Sequence, residues 1–329
     1  MEFNSKNTIV YTALIGQNEG LNLQSHIESS NFRHVCLTDN LDLKSNDWEI
    51  INVKRLFPKD QHRSQRNLKI RPHLIFPEYK YSFYIDNTIV LNSNVEEIIQ
   101  KLFLKEISDK NDPFFVLPYH SFRENLISEF YECYLNKLDS DIRFFDQISD
   151  YLNTDILAFK SKPYWTGMLF RHHMHPKFKE FSEIWFANVV KYSRRDQLSL
   201  IHSSLQLDFK ITGFDLNLFS SKYHNWPVAK QERLHRGFDG NLYKLPEDFF
   251  KSLLKVFSLS EEEILRYDFQ KEIDKVHLNY RNSINQLKIL EFEKENLFNE
   301  LELIKGSKIW KYSSIFRKIL DKIKFKISK

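Results

Sequence analysis

The chain has 329 residues, 42% of them hydrophobic, which is enough for a sizeable core in one α/β domain with an appendage. Its 29 phenylalanines and 15 tyrosines, against only 7 glycines, exclude a low-complexity or disordered chain. The net charge of +4 comes from residues 305–329, where nine Lys or Arg and one Asp sum to +8 and leave −4 for residues 1–304, a balance that argues against a general nucleic-acid binder.

Cysteine content and hydropathy predict the compartment. Cys36 and Cys133 are too few for a disulfide framework, and neither stands in a CxxC or Cys/His metal spacing. The N-terminal residues lack the basic region, apolar core and cleavage site of a signal peptide, and no run approaches the roughly 18 apolar residues of a membrane span. We therefore expect a cytoplasmic protein, whose basic tail can bind the anionic inner face of the cytoplasmic membrane.

The chain up to about residue 220 alternates short strands with helices. Apolar, β-branched runs predict strands at residues 8–15, 32–38, 48–53, 81–85, 114–117, 168–171 and 209–219. Helical patterns occupy residues 63–73, 95–104, 122–151 in two parts, 178–189 and 193–200. This alternation is typical of an α/β domain with helices on both faces of the sheet, to which we assign residues 1–250.

Residues 79–91, YKYSFYIDNTIVL, form the most informative stretch, because a buried strand there stops abruptly at Asp86. Open α/β sheets bind ligands beyond the carboxyl ends of their strands, so this carboxylate is expected to face a crevice. Arg63, Arg66 and Lys69 lie upstream at helical spacing and can share one face. An acid beside several cations predicts a site for a metal-bound diphosphate. The alternative is a strand ending in a turn, with Asp86 capping the next segment.

A histidine triplet, His172, His173 and His175, is the other cluster with metal-ligand chemistry. Adjacent histidines point in different directions in a strand or a helix, and no HExxH pair accompanies them. The sequence therefore argues against a metal site there.

The C-terminal part has a different pattern. Apolar residues recur at spacings of mostly three and four between Ile273 and Ile304, and no Pro or Gly lies between Pro246 and Gly306. This predicts a coiled-coil helix over residues 260–305 and a homo-oligomer formed through it. Residues 306–329 alternate Lys with large apolar residues, which predicts a basic amphipathic helix on an anionic membrane surface. The alternative for this tail is a helix that docks on the catalytic domain.

Six motifs occur together in the order and spacing of one family: YTALIG, CLTDN, WEI, RSQRNLKIRPHLIFPEYKYSFYIDNTI, PYHSFREN followed by Glu129, and SRRDQLSL. Over residues 8–225 the chain resembles the glycosyltransferase-like domains of plant Golgi proteins for cell-wall and mucilage polysaccharides and of bacterial surface-polysaccharide clusters. The resemblance implies a GT-A fold, a Rossmann-like α/β domain with a mixed sheet that binds a UDP- or GDP-sugar. The tail GSKIWKYSSIFRKIL resembles a segment that follows the coiled coil in bacterial polysaccharide glycosyltransferases.

The resemblance also implies the residues of the donor site. Asp86 matches the family's strand-end acid, which binds the nucleotide sugar or a divalent metal ion, Mn²⁺ or Mg²⁺. Thr88 stands where an Asp-x-Asp motif has its second acid, and because a hydroxyl is a poorer metal ligand, metal dependence is left open. The implied contacts to the nucleoside are Thr12, Ala13 and Asp39, and those to the diphosphate are Arg63, Arg66 and Lys69.

Two further motifs match the family's H..R and RDQ segments. The implied donor contacts in them are His120, Arg123 and Arg195, and the implied catalytic residues are Asp86, Glu129, Asp196 and Gln197. Glycosyl transfer needs neutralisation of the departing diphosphate and a base or a polar face at the sugar, a role that the resemblance gives to Asp196 or Glu129. From the residues alone, Asp196 is equally a carboxylate at a helix N-terminus and Glu129 a surface acid.

The sequence thus predicts a bacterial glycosyltransferase that extends a surface polysaccharide or a lipid-linked glycan. One alternative is a degenerate nucleotide-sugar-binding or scaffold protein of a polysaccharide assembly complex, since the second acid is missing. A nucleotidyltransferase is a weaker alternative, because such enzymes usually need paired acids for two metals. Turnover of a nucleotide sugar separates the first two hypotheses.

Overall fold

The computed structural model describes residues 3–16, 20–24, 26–107, 114–228 and 244–306. The chain divides into two units, Met1–Phe269 and Gln270–Lys329. The first unit is an α/β domain with a mixed seven-stranded sheet, which confirms the predicted α/β class and mixed sheet.

The strands are β1 (Thr8–Leu14), β2 (Arg33–Thr38), β3 (Glu49–Asn52), β4 (Tyr81–Ile85), β5 (Val90–Leu91), β6 (Phe115–Pro118), β7 (Met168–Arg171), β8 (Thr212–Phe214) and β9 (His224–Asn225). The helices are α1 (Gln61–Ile70), α2 (Val95–Ile98), α3 (Leu126–Leu135), α4 (Asp141–Thr154), α5 (Pro176–Lys191), α6 (Asp196–Gln206), α7 (Glu247–Val256), α8 (Glu261–Leu265) and α9 (Phe269–Gly306). A π-helical turn at Ile99–Phe103 and a 3₁₀ turn at Leu104–Glu106 continue α2.

The large sheet has the strand order β3-β2-β1-β4-β7-β6-β8. Strand β7 runs antiparallel to both of its neighbours, β4 and β6, whereas the other pairs are parallel. The carboxyl ends of β1, β2 and β4 therefore meet at one edge, as the strand ends at Gly16, Asp39 and Asp86 predict.

Alternating residues of β1 divide the core between the two faces of the sheet. Ile9 and Tyr11 pack with Leu68 of α1 and Trp185 of α5 on one face. Val10 packs on the other face, with side chains of α2 and of the turns that follow it. The helices thus cover both faces, and α1 is fixed at the edge where β1 and β4 end.

A buried cation lies beneath the C-terminal end of α1. Arg171 of β7 is fully buried, donates a hydrogen bond from Nε to Oγ of Ser82 at 3.0 Å, and donates another to the Tyr11 hydroxyl. Tyr11 Oη in turn lies 3.1 Å from the carbonyl oxygen of Leu68 and 3.0 Å from that of Lys69. Burial raises the pKa of Tyr11 to about 12 and lowers the pKa of Arg171.

The predicted strand at residues 209–219 is largely wrong, because only Thr212–Phe214 joins the sheet beside β6. Asp208 has a positive φ of 47° that ends the preceding turn, and Leu218 and Tyr223 then pack into the core on the α2 face. Residues 89–91 also leave the large sheet, since β5 pairs with β9 in a separate two-stranded sheet. Apart from Phe214 in β8, the buried apolar residues of both segments pack into the core from outside the large sheet.

The C-terminal unit contains most of α9, a continuous helix to Gly306. Exposed apolar side chains along it include Leu290, Leu297 and Leu301. The predicted helix over residues 260–305 is confirmed from Phe269 onward, whereas residues 261–265 form the separate α8. The pairing of α9 as a coiled coil stays a prediction. The predicted basic tail lies outside the described residues beyond Gly306. Within the described ranges, no helix combines the length and apolar character that crossing a membrane requires.

Candidate functional site

A cavity of about 240 Å³ opens at the carboxyl ends of β1 and β4, between α1 and the start of α6. Its described lining residues are Ala13, Leu14, Ile15, Gln61, His62, Gln65, Arg66, Lys69, Asp86, Asn87, Thr88, Leu138, Trp165, Thr166, Gly167, Arg194, Arg195, Asp196, Gln197 and Trp226. Seven residues that the sequence analysis assigned to the site are therefore brought together: Ala13, Arg66, Lys69, Asp86, Arg195, Asp196 and Gln197.

Helix α1 supplies the cationic wall of this cavity. Asp60 caps the helix by accepting a hydrogen bond from the Arg63 backbone, and the face at positions 62, 65, 66 and 69 then lines the cavity. Arg63 lies off this face. It donates from Nε to the carbonyl oxygen of Val189 at 3.0 Å and from Nη2 to that of Tyr192 at 2.7 Å. Its predicted diphosphate role has no geometric support, because its guanidinium anchors α1 to the end of α5.

Lys69 joins the two carboxylates of the cavity. Its ammonium lies 2.8 Å from Oδ2 of Asp196, 3.4 Å from Oδ1 of Asp86 and 3.1 Å from the Thr166 hydroxyl. The Lys69 side chain is 1% exposed, so little water screens these interactions.

Asp196 is the buried acid of the pair, at the first residue of α6. Its Oδ1 lies 2.8 Å from Arg66 Nε, and its side chain is 1% exposed. Burial raises the pKa of Asp196, but the charges of Arg66, Lys69 and Arg195 outweigh burial and hold it well below its usual range. Asp196 therefore serves as a counter-ion that fixes two cations.

Asp86 is the accessible acid of the pair, with 31% of its side chain exposed. Its backbone N–H donates to the Gly167 carbonyl oxygen at 2.8 Å, which fixes the turn after β4. The Tyr84 hydroxyl donates to Oδ1 of Asp86 at 2.8 Å, and burial together with this carboxylate raises the pKa of Tyr84 well above its usual value. Among the described lining residues, Asp86 is thus the carboxylate that a ligand can reach.

These residues do not fit a divalent metal ion held by Asp86. The ammonium of Lys69 lies within 3.5 Å of both oxygens of Asp86, so a second cation there would meet a like charge at short range. Thr88 Oγ1 already accepts a hydrogen bond from Trp226 Nε1 at 3.1 Å. Within the described residues, no group of three or more His, Cys, Asp or Glu side chains is arranged to hold a metal ion, His172, His173 and His175 included.

The cavity carries an excess of positive charge. Its described lining holds four cations, Arg66, Lys69, Arg194 and Arg195, against two carboxylates. His62 adds no charge near neutral pH, since burial and the neighbouring arginines lower its pKa to about 3. A net charge of +2 in a concave site is suited to an anionic ligand such as a diphosphate.

A second cluster of charged groups lies behind the cavity wall. Glu129 of α3 is 5% exposed, and its Oε2 lies 3.4 Å from Arg123 Nε and 3.7 Å from His120 Nε2. Burial raises the pKa of Glu129 although Arg195 and Arg123 lower it, and burial and nearby arginines lower the pKa of His120 to about 3. None of Glu129, Arg123 and His120 is among the lining residues of the cavity. Their link to it runs through Arg195, whose Nη2 donates to Oε1 of Gln197 at 3.2 Å.

Of the three predicted nucleoside contacts, only Ala13 is among the described lining residues of the cavity. Ala13 lines the cavity, whereas Thr12 is 1% exposed within β1. Asp39 ends β2, where its carboxylate accepts a hydrogen bond from the Gly16 N–H at 2.8 Å and pairs with Arg55. Asp39 is therefore at the predicted sheet edge but outside the described lining of the cavity.

Sequence reasoning missed several lining residues, notably His62, Gln65, Trp165, Thr166, Arg194 and Trp226. The spacing of His62 and Gln65 from Arg66 and Lys69 was available as a signal, because these positions share one helical face. Trp165 and Trp226 come from irregular segments, which give no periodic signal.

The family model of the TOD1/MUCI70 glycosyltransferase-like domain matches residues 3–232. The chain belongs to this family. The match spans β1 through β9 and thus every described residue that lines the cavity. A comparison with curated proteins finds no match.

Two solved structures show weak similarity to this chain. One is a glycosyltransferase involved in the glycosylation of the major capsid of PBCV-1, with 12% identity, a TM-score of 0.34, and coverage of 64% of this chain and 81% of that one. The other is mouse xyloside xylosyltransferase 1 in its apo form, with 10% identity, a TM-score of 0.36, and coverage of 64% and 85%. Because both TM-scores are below 0.5, the family assignment depends on the sequence match.

Proposed function

We propose that this protein is a glycosyltransferase of GT-A type that moves a sugar from a nucleoside diphosphate donor to a glycan. The observation that carries the proposal is the charge of the cavity, four cations against two carboxylates at the edge where β1 and β4 end. Membership of a glycosyltransferase-like family supports it independently. A UDP- or GDP-sugar brings the diphosphate that this charge would neutralise.

Arg66 and Lys69 are the proposed stabilisers of the departing diphosphate. Both are held at 2.8 Å from Asp196, so their positions are set before a ligand arrives. Fixed charges in a site that excludes water lower the barrier without reorganisation during the reaction. Asp196, which is buried and paired, would position these cations and would be a poor general base, because its lowered pKa makes it a weak proton acceptor.

Asp86 is the proposed acid at the reacting sugar. It is the accessible carboxylate of the described cavity lining, and hydrogen bonds from Tyr84 and Lys69 orient it. Gln197, whose Nε2 donates to the Tyr164 carbonyl oxygen at 3.2 Å, would contact donor hydroxyls from the start of α6. Glu129 would act through Arg195 as a positioning residue.

The proposed transfer does not use a divalent metal ion at Asp86. The Lys69 ammonium supplies the positive charge next to this carboxylate, where an Asp-x-Asp enzyme would hold its metal. The absence of a second acid at Thr88 agrees with this role for Lys69.

The test is a panel of UDP- and GDP-sugars with the full-length protein. Thermal shift and calorimetry identify a bound donor, and release of free UDP or GDP measures turnover with and without glycan acceptors. Turnover of one donor, lost on addition of an excess of the matching nucleoside diphosphate, is the expected result. Binding without turnover by any donor would instead support the alternative of a nucleotide-sugar-binding scaffold.

Oligomer formation and membrane binding remain part of the proposal. The exposed leucines of α9 support self-association, because a helix with an apolar stripe is rarely stable alone in water. The composition of residues 306–329 supports contact with an anionic membrane, and with it a cytoplasmic site at the membrane's inner face. A full-length protein that is monomeric and ignores anionic vesicles would contradict both parts.

A further inference from the structure

A second concave surface adjoins the cavity through an aromatic cluster. A shallow depression of about 570 Å³ is lined by Ser121, Phe122, Lys162, Asp215, Leu216, Asn217 and Phe219. Its volume lies in the usual range of small-ligand sites, roughly 300–1,000 Å³. The residues Phe219 and Phe122 are 51% and 38% exposed, which is unusual for two neighbouring phenylalanines in the same domain.

The aromatic rings connect this depression with the cavity. Phe122 and Phe219 stack with centroids 4.8 Å apart, and Phe219 lies 5.8 Å from Trp226. Trp226 lines the cavity and is held there by its hydrogen bond to Thr88 Oγ1. A ligand that contacts Phe219 is therefore separated from the donor cavity by the rings of Phe219 and Trp226.

The rest of the depression is polar. Lys162 Nζ and Asp215 Oδ1 form an exposed ion pair at 2.7 Å, and the residues Asn217 and Ser121 are also exposed. Hydrogen-bonding groups around an exposed ring match a pyranose, whose C–H face packs on an aromatic surface while its hydroxyls meet polar side chains. A lipid chain would instead bury the Lys162–Asp215 ion pair against hydrocarbon, which carries a desolvation cost.

We infer that this surface binds a saccharide unit of the acceptor, with Phe219 as the stacking residue. The inference rests on the proposed function, because it makes the depression the acceptor side of the same reaction. It assigns the acceptor class as a glycan that presents at least one sugar ring next to the cavity.

Saturation-transfer NMR with neutral disaccharides tests the inference directly. The probes are cellobiose, maltose, lactose and chitobiose, each at millimolar concentration with the full-length protein. We expect at least one to bind through its C–H face. Phe219→Ala should weaken that binding at least tenfold, whereas Phe219→Tyr, which keeps the ring, should retain it. Phe292→Ala removes an exposed phenylalanine of α9 and is the matched control.

Measuring UDP binding in the same samples distinguishes a failure of the acceptor assignment from a failure of the proposed function. If UDP binds all variants equally and no disaccharide binds the wild type, the acceptor assignment is wrong and the donor site stands. If a disaccharide binds through Phe219 but no nucleotide binds, the proposed function fails and a saccharide site remains. Equal saccharide binding by Phe219→Ala, or binding of lipid vesicles through Phe219 in place of saccharides, would overturn the inference.

Discussion

Two clusters in this domain pair buried acids with cations, yet only one of them faces a cavity. In the first, Arg66 and Lys69 surround Asp196, and Lys69 also contacts the accessible Asp86. In the second, Arg123 and His120 surround Glu129, which is enclosed behind the cavity wall.

The difference is one of access and of charge balance. The cavity has cations in excess and an exposed carboxylate, so a ligand can both reach it and be attracted to it. The enclosed cluster instead holds the Arg195 side of α6 in place through charges that stay inside the protein. Asp86 and Glu129 match two different acids of the family motifs, and we propose different tasks for them.

The largest expected effect is the loss of turnover on replacing Asp86, with the replacement of Glu129 as the comparison. Asp86→Asn should lower turnover on the order of 10²–10⁴-fold, since it removes the carboxylate that we propose at the reacting sugar. Glu129→Gln should keep turnover within about tenfold and lower the free energy of unfolding by about 1–3 kcal/mol, because it breaks buried charged contacts. Donor turnover and urea denaturation measure both quantities. Full activity in Asp86→Asn would show that the reaction occurs elsewhere.

Arg66 and Arg63 form a matched pair one helical turn apart. Arg66→Met should weaken UDP binding by about 10–100-fold, the value of one or two charge-assisted contacts, and leave uridine binding unchanged. Arg63→Met should lower stability, because it frees α1 from the Val189 and Tyr192 carbonyl groups, but keep UDP affinity. Calorimetry with UDP and uridine provides the measurement. Equal losses of UDP binding in both variants would contradict the division of α1 into two faces.

The free energy of unfolding should also decrease as the pH is lowered from about 6.5 towards 3. Burial lowers the pKa of His62, His120 and His173 to about 3 in the native state, from an ordinary value of 6.5. The unfolded chain then binds more protons as the pH falls from about 6.5 towards 3, and each histidine costs up to about 1.4 kcal/mol per pH unit.

Urea denaturation between pH 7.5 and 4.5 measures this slope. His120→Gln should make the slope shallower, because one of the three protons no longer contributes. An unchanged slope in His120→Gln would mean that this histidine is charged in the native state.

The smallest expected effect is that of metal removal. Treatment with EDTA should change UDP affinity by less than about twofold, since the Lys69 ammonium already stands next to Asp86. Lys69→Met provides the contrast, because the freed carboxylate should let Mn²⁺ strengthen UDP binding. A wild-type protein whose UDP binding needs Mn²⁺ would refute the role given to Lys69.

Much of the sheet edge could be predicted from the sequence. The runs that form β1, β2, β4 and β7 were recognised because buried strands need short apolar, β-branched segments. The position of Asp86 at a strand end followed from the same pattern. The segment at residues 209–219 was misjudged, because its apolar residues pack into the core from a loop and mimic a strand.

The assignment of cations was only partly predictable. Spacing places Arg63, Arg66 and Lys69 near each other on a helix, but it does not determine which flank faces the ligand. That choice depends on α5, whose end accepts the Arg63 hydrogen bonds. The contact of Lys69 with both Asp86 and Asp196 joins residues up to 127 positions apart, which no local pattern reveals.

The hydrogen-bonded chain from Arg171 through Tyr11 to the last carbonyl groups of α1 has a consequence for ligand recognition. The Arg171 guanidinium thus holds the end of α1 that carries Lys69. Its positive charge also interacts favourably with the negative end of the helix dipole. The fold therefore positions this end of α1, so a nucleotide that binds as proposed would meet Lys69 already in place. Nucleotide association should therefore proceed in one kinetic step, as lock-and-key binding rather than induced fit.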